Sequence, residues 1–287
     1  MPEFISKVQH KTYEKGEFSD EKARNLAETI DLIKKFTWDD ERALTAVQLT
    51  GPSITIQDED VNYLKVGLYF SDKFCLYYLD NENHLYEYYA PNIDDACKIV
   101  TDFFNGQLDL EKFDKHFFNI GNQANFLTKY FEYKVKFWKV LLISWPFIMF
   151  FLIFLIFFIA ILSTIAPLYV KVVPCILTLI LGGVLLYIFR KYLGCSNQVL
   201  QISKGNDIFS FSSGYNETSY DKRNIKEIII YRPAGGRTPN MFYVYEIHFK
   251  DDTVIKFSNM LISDITFGNK FSFSLCRYSD KNSFRQL

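Results

Sequence analysis

The chain has 287 residues, and its 32 Lys and Arg nearly balance its 33 Asp and Glu, which leaves a formal net charge of −1. Hydrophobic residues make up 49% of the chain and aromatic residues 18%, with five Cys, eight Pro and 13 Gly. This composition excludes a long disordered tail, a collagen-like repeat and a disulfide-dense scaffold.

The near-zero net charge hides an acidic first part. Residues 1–128 carry 13 Lys and Arg against 23 Asp and Glu, whereas residues 129–139 carry four Lys and one Glu. We expect an acidic α+β domain over 1–128 and then a basic juxtamembrane helix over 129–139, which continues a helical stretch from about Asn122. Anionic headgroups attract such a helix and repel the acidic domain.

Helix signals mark both ends of the acidic domain. Ser19 is predicted to cap a first helix, because acidic residues follow it and apolar residues then recur at helical spacing. Thr37 is predicted to cap a second helix. Asn92 is predicted to cap a third, with Gly106 just beyond its C-terminal end.

Between the second and third helices the apolar pattern changes to a period of two. Aromatic and β-branched runs alternate there with short polar breaks, which predicts a four-stranded antiparallel meander. The runs are Ile54–Ile56, Tyr63–Phe70, Phe74–Leu79 and Leu85–Tyr89.

The meander is rich in Tyr, and two interpretations stay open. In one, the helices bury one face of the sheet and the hydroxyl groups lie at its wet edge. In the other, the Tyr face binds a protein and an acidic rim selects a basic partner. The partner-binding candidates are Tyr77, Tyr78, Tyr86, Tyr88 and Tyr89, with Asp58, Glu59 and Asp60 on the rim.

Two uncharged apolar segments follow. Residues 140–162 would form a helix of about 34 Å and residues 172–189 one of about 27 Å, against a hydrocarbon core of about 30 Å. The connection at 163–171 allows only a tight external turn, so the sequence predicts a two-helix transmembrane hairpin. Gly182 and Gly183 are the candidates for close helix packing.

Charge flanking the hairpin predicts its orientation. Basic residues stand just outside both spans, whereas the turn offers only Lys171, so the positive-inside rule places both termini in the cytoplasm. The first 13 residues are polar, so we expect no signal peptide. With its two spans, the chain is expected to be a multi-pass protein of the bacterial inner membrane. The flanking residues, which are also lipid-headgroup candidates, are Lys134, Lys136, Lys139, Arg190 and Lys191.

The last part, residues 190–287, has 14 Lys and Arg against nine Asp and Glu. Short alternating runs separated by turn signals predict a cytoplasmic β-rich domain of five to seven strands, either a small barrel or a sandwich. The runs are Gln198–Ser203, Ile208–Phe211, Ile225–Tyr231, Phe242–Phe249 and Thr253–Phe257.

The turn at Lys204–Asp207, the segment Tyr220–Ile228 and the hairpin at Phe249–Thr253 resemble bacterial pleckstrin-homology-like (PH-like) domains that follow transmembrane hairpins. The resemblance covers residues 196–267 and implies a small barrel that binds lipid or a partner. Its basic residues are then lipid-headgroup candidates, with an ordinary solvated basic face as the alternative. They are Lys222, Arg223 and Lys226.

A second resemblance covers residues 50–106. The segments Gly51–Ile56, Leu64–Gly67, Phe74–Asp80 and Asp102–Gly106 are similar to parts of small cytoplasmic domains of gut Bacteroidales proteins. Some of those proteins resemble immunity proteins of contact-dependent antagonism systems. The resemblance implies a protein partner, a toxin, for the acidic domain.

Motifs of catalysis are missing from the sequence. The four His are scattered, and there is no His/Cys cluster, Gly-rich phosphate loop or nucleophile motif. We therefore expect no enzyme activity, metal, cofactor or nucleic-acid partner. Uncharged spans also disfavour a transporter or channel, although a homo-oligomer built through the hairpin is a further alternative.

Two functional hypotheses result from these patterns. The first is a non-enzymatic immunity protein of the inner membrane that neutralises a toxin of an interbacterial antagonism system. The alternative is a membrane-anchored scaffold or regulator whose PH-like domain binds lipid headgroups or a partner protein.

Overall fold

The structure is a computed structural model, and its chain divides into two units. One comprises Met1–Tyr130 and Ser203–Asn206, and the other Phe131–Ile202 and Asp207–Leu287. Each unit has its own sheet or sheets and its own hydrophobic core. The described residues are 2–42, 49–118, 120–162, 167–214, 216–231, 243–271 and 273–279.

The described strands of the first unit form one antiparallel sheet of seven strands. They are β1 (Phe4–Gln9), β2 (Ser19–Arg24), β3 (Ser53–Gln57), β4 (Tyr63–Leu68), β5 (Phe74–Leu79), β6 (Leu85–Ala90) and β7 (Asp114–Lys115). Their order is β2-β1-β3-β4-β5-β6-β7. The predicted meander is therefore the centre of the sheet, with β1 and β2 added on one side and β7 on the other.

The first helix begins later than predicted. Ser19 starts β2 instead of capping a helix, and α1 (Leu26–Lys35) is capped by Asn25. The Asn25 side chain accepts a hydrogen bond from the Glu28 N–H at 3.0 Å, while the Glu28 carboxylate accepts one from the Asn25 N–H at 3.1 Å. This capping box fixes the start of the helix, and the residues before it pair with β1.

The other two helices of this unit start where the sequence indicates. The short helix α2 (Trp38–Arg42) directly follows Thr37. The helix α3 (Ile93–Phe104) is capped by the Asn92 side chain, and Gly106 beyond its end has a φ of +66°. That left-handed conformation is one that glycine adopts without strain.

The two faces of the seven-stranded sheet are covered differently. Helix residues such as Ile33 and Phe104 pack on one face, and the Phe104 ring stacks on Phe4 with centroids 4.5 Å apart. On the opposite face the chain after α3 supplies the cover. Its residue Phe126 is fully buried, with its ring centroid 5.7 Å from that of Tyr63.

The described strands of the second unit form two four-stranded sheets and do not close into the small barrel that we expected. They are β8 (Glu132–Lys134), β9 (Gln198–Gln201), β10 (Ile208–Ser213), β11 (Glu217–Asp221), β12 (Ile225–Tyr231), β13 (Val244–Phe249), β14 (Val254–Ser258) and β15 (Cys276–Ser279). The sheets have the orders β11-β10-β9-β8 and β14-β13-β12-β15, and β15 pairs with β12 in parallel.

One hydrophobic core joins the two sheets of the second unit. Leu200 of the first sheet and Ile228 of the second are fully buried in it. The helix α6 (Asp264–Lys270) closes the core, because its Phe267 ring stacks on the Tyr245 ring with centroids 4.0 Å apart. Aromatic stacking therefore fixes this short helix to the second sheet.

Two long helices, α4 (Phe137–Leu162) and α5 (Leu168–Cys195), lie between β8 and β9 along the chain. Both are long and apolar enough to cross a membrane. In the described structure only Ser144 of the apolar stretch Ser144–Leu162 is buried, and in the stretch Val170–Cys195 the buried residues are Pro174, Ile188, Lys191 and Cys195. The rest of the unit therefore leaves their apolar surface uncovered.

The helix predicted over 129–139 and from Asn122 is wrong. Residues 122–125 form a single 3-10 turn, β8 follows, and α4 begins only at Phe137. A strand forms here instead of a helix because Tyr133 and Val135 pack against the core of the second unit. β8 also pairs with β9 in antiparallel register, Tyr133 opposite Leu200.

The β8–β9 pairing is testable by cross-linking. Glu132 lies directly opposite Gln201, and directly opposed residues have Cβ atoms about 5 Å apart. We expect Glu132→Cys with Gln201→Cys to form a disulfide under mild oxidation of the full chain, detected by mass spectrometry of tryptic peptides. Glu132→Cys with Ser219→Cys is the control, since Ser219 lies in β11, three strands and about 14 Å away. Equal yields from the two pairs would contradict the strand assignment.

Candidate functional site

The base of the two apolar helices is the first candidate site. Only residues 135–136 separate β8 from α4, and only residues 196–197 separate α5 from β9. Because β8 and β9 are paired neighbours, both helices join the first sheet of the second unit at the same end. The Cys195 Sγ lies 3.2 Å from the Ser258 Oγ of β14, so the second sheet also contacts this base.

Basic and aromatic side chains surround the base. Lys134, Lys136 and Arg190 are exposed, and Lys134 also pairs with the Glu132 carboxylate at 2.5 Å. The predicted headgroup candidate Lys191 is buried, at 7% exposure, and the side chain of Lys139 lies outside the described part of the structure. The aromatic side chains at this level are Phe137, Trp138 and Tyr192.

Gly182 and Gly183 differ in their surroundings. A Cβ atom on Gly182 would lie 3.3 Å from the Phe151 ring of α4, tighter than ordinary van der Waals contact. A Cβ atom on Gly183 would have no described atom within 4 Å. Gly182 is therefore the glycine that lets the two helices approach closely.

The other predicted headgroup residues lie at the opposite end of the sheets. On β10, Ser213 pairs with Gln198 beside the helix base, whereas Ile208 pairs with Asp221, next to Lys222 and Arg223. Five residues of strand, about 17 Å, separate the two ends. Lys226 is at that far end too, because it follows the first residue of β12.

Arg223 is also paired with acidic side chains. Its Nη2 lies 2.6 Å from the Asp221 carboxylate, and its Nε lies 3.7 Å from that of Asp207. The hydrogen bonds from Arg223 lower the pKa of Asp221. The structure therefore splits the predicted lipid-contacting residues into a group at the helix base and a group at the far end.

The predicted Tyr face of the first unit is not one surface. Tyr78, Tyr86 and Tyr88 pack against the helix-side core, and burial raises the pKa of Tyr78 to about 12. Tyr77 and Tyr89 instead belong to the opposite face, beside Cys75 and Glu87. The acidic rim is a turn, in which the Asp58 carboxylate accepts hydrogen bonds from the backbone and side chain of Asn62, both at 2.8 Å.

A polar cluster that the sequence did not indicate lies on that opposite face. The Glu87 carboxylate accepts a hydrogen bond from the Cys75 thiol at 3.1 Å and lies 2.6 Å from the His116 Nε2. Burial raises the pKa of Cys75, so its thiol stays protonated and donates to Glu87. Within the described residues, no group of three or more His, Cys, Asp and Glu side chains is placed to hold a metal ion.

A buried lysine lies on the same face. Lys65 is 1% exposed, and its Nζ donates to the Gln9 Oε1 at 2.8 Å and to the Asn125 carbonyl at 3.1 Å. Burial, together with the nearby charges of Lys7 and Lys15, lowers the pKa of Lys65 to about 7. The sequence signal for it is a lone charge within the otherwise apolar strand β4.

Lys7 is the second buried lysine of this face. Its Nζ donates to the Thr128 Oγ1 at 3.1 Å and lies 3.6 Å from the Glu21 carboxylate. The Phe18 ring lies against both ammonium groups, 4.6 Å from that of Lys7 and 5.5 Å from that of Lys65. Together the two lysines tie residues 125–128 to the sheet.

Comparison with known proteins identifies one domain. The sequence model of a family described as a PH domain matches residues 132–270. A PH-like domain is therefore present, as the resemblance over 196–267 predicts, but the match begins at β8, ahead of the apolar helices. Searches of curated proteins and of solved structures gave no match, and the immunity-type resemblance of residues 50–106 has no support.

The buried Lys65 predicts a pH dependence. The pKa of Lys65 is about 7 in the folded chain and 10.5 ordinarily. Between pH 7 and pH 10.5, Lys65 therefore carries a proton in the unfolded chain that it lacks in the folded chain. The free energy of unfolding of the first unit should thus rise with pH, by at most about 1.4 kcal/mol per unit. Hydrogen exchange of β4 amides in the full chain, corrected for intrinsic rates, should show protection that increases from about pH 7 to about pH 9.

Lys65→Met should remove most of this increase, because the variant has no side chain at position 65 that binds a proton in the unfolded chain only. Lys98→Met is the matched control, since Lys98 is exposed on α3 and should leave the increase unchanged. The same increase in both variants would contradict a lowered pKa for Lys65.

Proposed function

We propose that this protein is a membrane-anchored scaffold or regulator in which two transmembrane helices hold a PH-like domain against lipid headgroups. The observation that carries the proposal is the place of the helices. They are inserted between β8 and β9 of the matched domain, two residues from each strand. A domain tethered so closely meets the headgroup layer at high effective concentration, so weak contacts suffice.

The helices support membrane anchorage through their length and exposure. The 26 residues of α4 and the 28 of α5 correspond to about 39 and 42 Å, longer than a hydrocarbon core of about 30 Å. Their apolar surface is largely uncovered, which soluble proteins avoid. The aromatic side chains at the base, including Trp138, are the type that is enriched at membrane interfaces.

Charge supports the proposed orientation. Lys134, Lys136 and Arg190 stand at the helix base, whereas Lys171, which lies in the first turn of α5 and not in the predicted turn, is the single charged residue at the other end of the helices. The positive-inside rule then puts both units in the cytoplasm of a bacterium, below the inner membrane. The far end of the PH-like sheets, with Lys222 and Arg223, faces away from the lipid and is the surface that we assign to a partner protein.

The immunity hypothesis is not retained. It depended on the resemblance of residues 50–106, which no comparison supports, and it assigned the toxin contact to the Tyr-rich sheet of the acidic domain. The sheet register divides the Tyr side chains between two faces. A PH-like domain favours lipid or partner binding as the role of this protein.

Neutralising the helix base tests this function. The variant Lys134→Gln, Lys136→Gln, Arg190→Gln should lower the preference of the full chain for anionic lipid at least several-fold, since each basic residue near a membrane surface contributes about 1 kcal/mol, which is about fivefold in affinity. The measurement is the ratio of phosphatidylglycerol to phosphatidylcholine that co-purifies from a mixed membrane. The matched control is Lys222→Gln, Lys226→Gln, Arg223→Gln, which removes the same charge at the far end and should leave the ratio unchanged.

The reverse result, loss of the preference only in the control variant, would mean that the far end faces the lipid. Recovery of the wild-type chain in the soluble fraction after an alkaline wash of membranes would contradict the anchorage itself.

A further inference from the structure

An exposed apolar loop projects from the first unit between β7 and the turn at residues 122–125. Phe117 is 90% exposed, Phe118 75% and Ile120 93%, and the two Phe rings lie edge to face with centroids 5.0 Å apart. Asn119 lies outside the described residues. Three large apolar side chains within four residues are unfavourable in water, and such exposure usually marks a binding surface.

The N-terminal foot of this loop is fixed to the sheet. The His116 N–H donates to the Leu85 carbonyl at 2.8 Å, and its Nε2 lies 2.6 Å from the Glu87 carboxylate. Burial raises the pKa of Glu87, but hydrogen bonds from Cys75, Tyr89 and His116 outweigh burial and leave it below its ordinary value. The carboxylate that holds His116 is therefore charged at neutral pH.

The C-terminal foot is fixed as well. Gly121 has a φ of +77°, which starts the turn, and five residues later Phe126 is fully buried. The Asn125 carbonyl accepts the hydrogen bond from buried Lys65. The Asn122 side chain also donates to the Phe118 carbonyl at 3.1 Å, which braces the tip. Both feet of the loop are therefore held to the first unit.

We propose that this loop is a finger that inserts Phe117, Phe118 and Ile120 into the interfacial region of a lipid bilayer. Its size selects this occupant. An aromatic side chain buries about 150–250 Å², so three apolar side chains offer less than the roughly 800 Å² per partner of a stable protein interface. Insertion at a bilayer surface requires only a few aromatic and aliphatic side chains.

The bilayer is also within reach of the finger, an argument that rests on the proposed membrane anchorage. Only 16 residues separate Ile120 from the next apolar helix, which begins at Phe137. A chain of that length spans at most about 56 Å. The loop then remains near a bilayer, where a weak apolar contact is sufficient to hold the acidic unit against the repulsion of anionic headgroups.

Spin-label depth measurement tests the finger in the full chain in phosphatidylglycerol nanodiscs. A nitroxide at Phe118→Cys is compared with one at Phe70→Cys, a matched control because Phe70 is also a loop Phe of the first unit and is 64% exposed. Both variants carry Cys175→Ser and Cys276→Ser, which remove the two half-exposed native cysteines. We expect the label at 118 to collide with oxygen more, and with a water-soluble nickel chelate several-fold less, than the label at 70.

Each other outcome overturns the finger in a distinguishable way. A chain that stays in the nanodisc while the label at 118 is as accessible to nickel as the label at 70 overturns the finger and leaves the anchorage intact. A label at 118 that is shielded from both reagents would identify a protein contact there instead. A chain that does not incorporate into nanodiscs overturns the anchorage and the finger together.

Discussion

The pairing of β8 with β9 is the constraint on which the second unit depends. Residues 135–197 lie between the two strands, and closing a flexible connection of that length would cost about 4 kcal/mol in chain entropy. Two packed antiparallel helices reduce this cost, because they return the chain to its starting level. The close approach of Gly182 to Phe151 therefore stabilises the β8–β9 pair as well as the helices.

The first unit has a different constraint, because its central strand β4 is buried on both faces and both faces must be covered. Helices cover one face mainly with apolar side chains, whereas the chain after α3 covers the other with both apolar and polar groups. Its backbone carbonyls and hydroxyls allow Lys7 and Lys65 to be buried with partners. The same contacts hold both the apolar loop and the chain that leads into β8.

Sequence patterns predicted the elements whose signals are local. The four meander strands, the Asn92 cap and the two apolar helices all follow from spacing within a short window. Ser19 and Asn25 satisfy the capping rule equally well, and only the pairing of residues 19–24 with β1 distinguishes them. β8 and β15 pair with distant strands, and the Cys75, Glu87 and His116 cluster needs the sheet register, so neither could be predicted from local spacing.

The separation of β8 from β9 also determines an order of events on the ribosome. At about 5–20 residues per second, the 63 residues between the two strands take several seconds to synthesise. Until β9 is made, β8 has no partner, and once it is exposed its backbone groups are open to incorrect pairing. The three-residue length of β8, its own Lys134 and the neighbouring Lys136 discourage such pairing. Both apolar helices are thus made, and can leave the aqueous phase, before the sheet that carries them is complete.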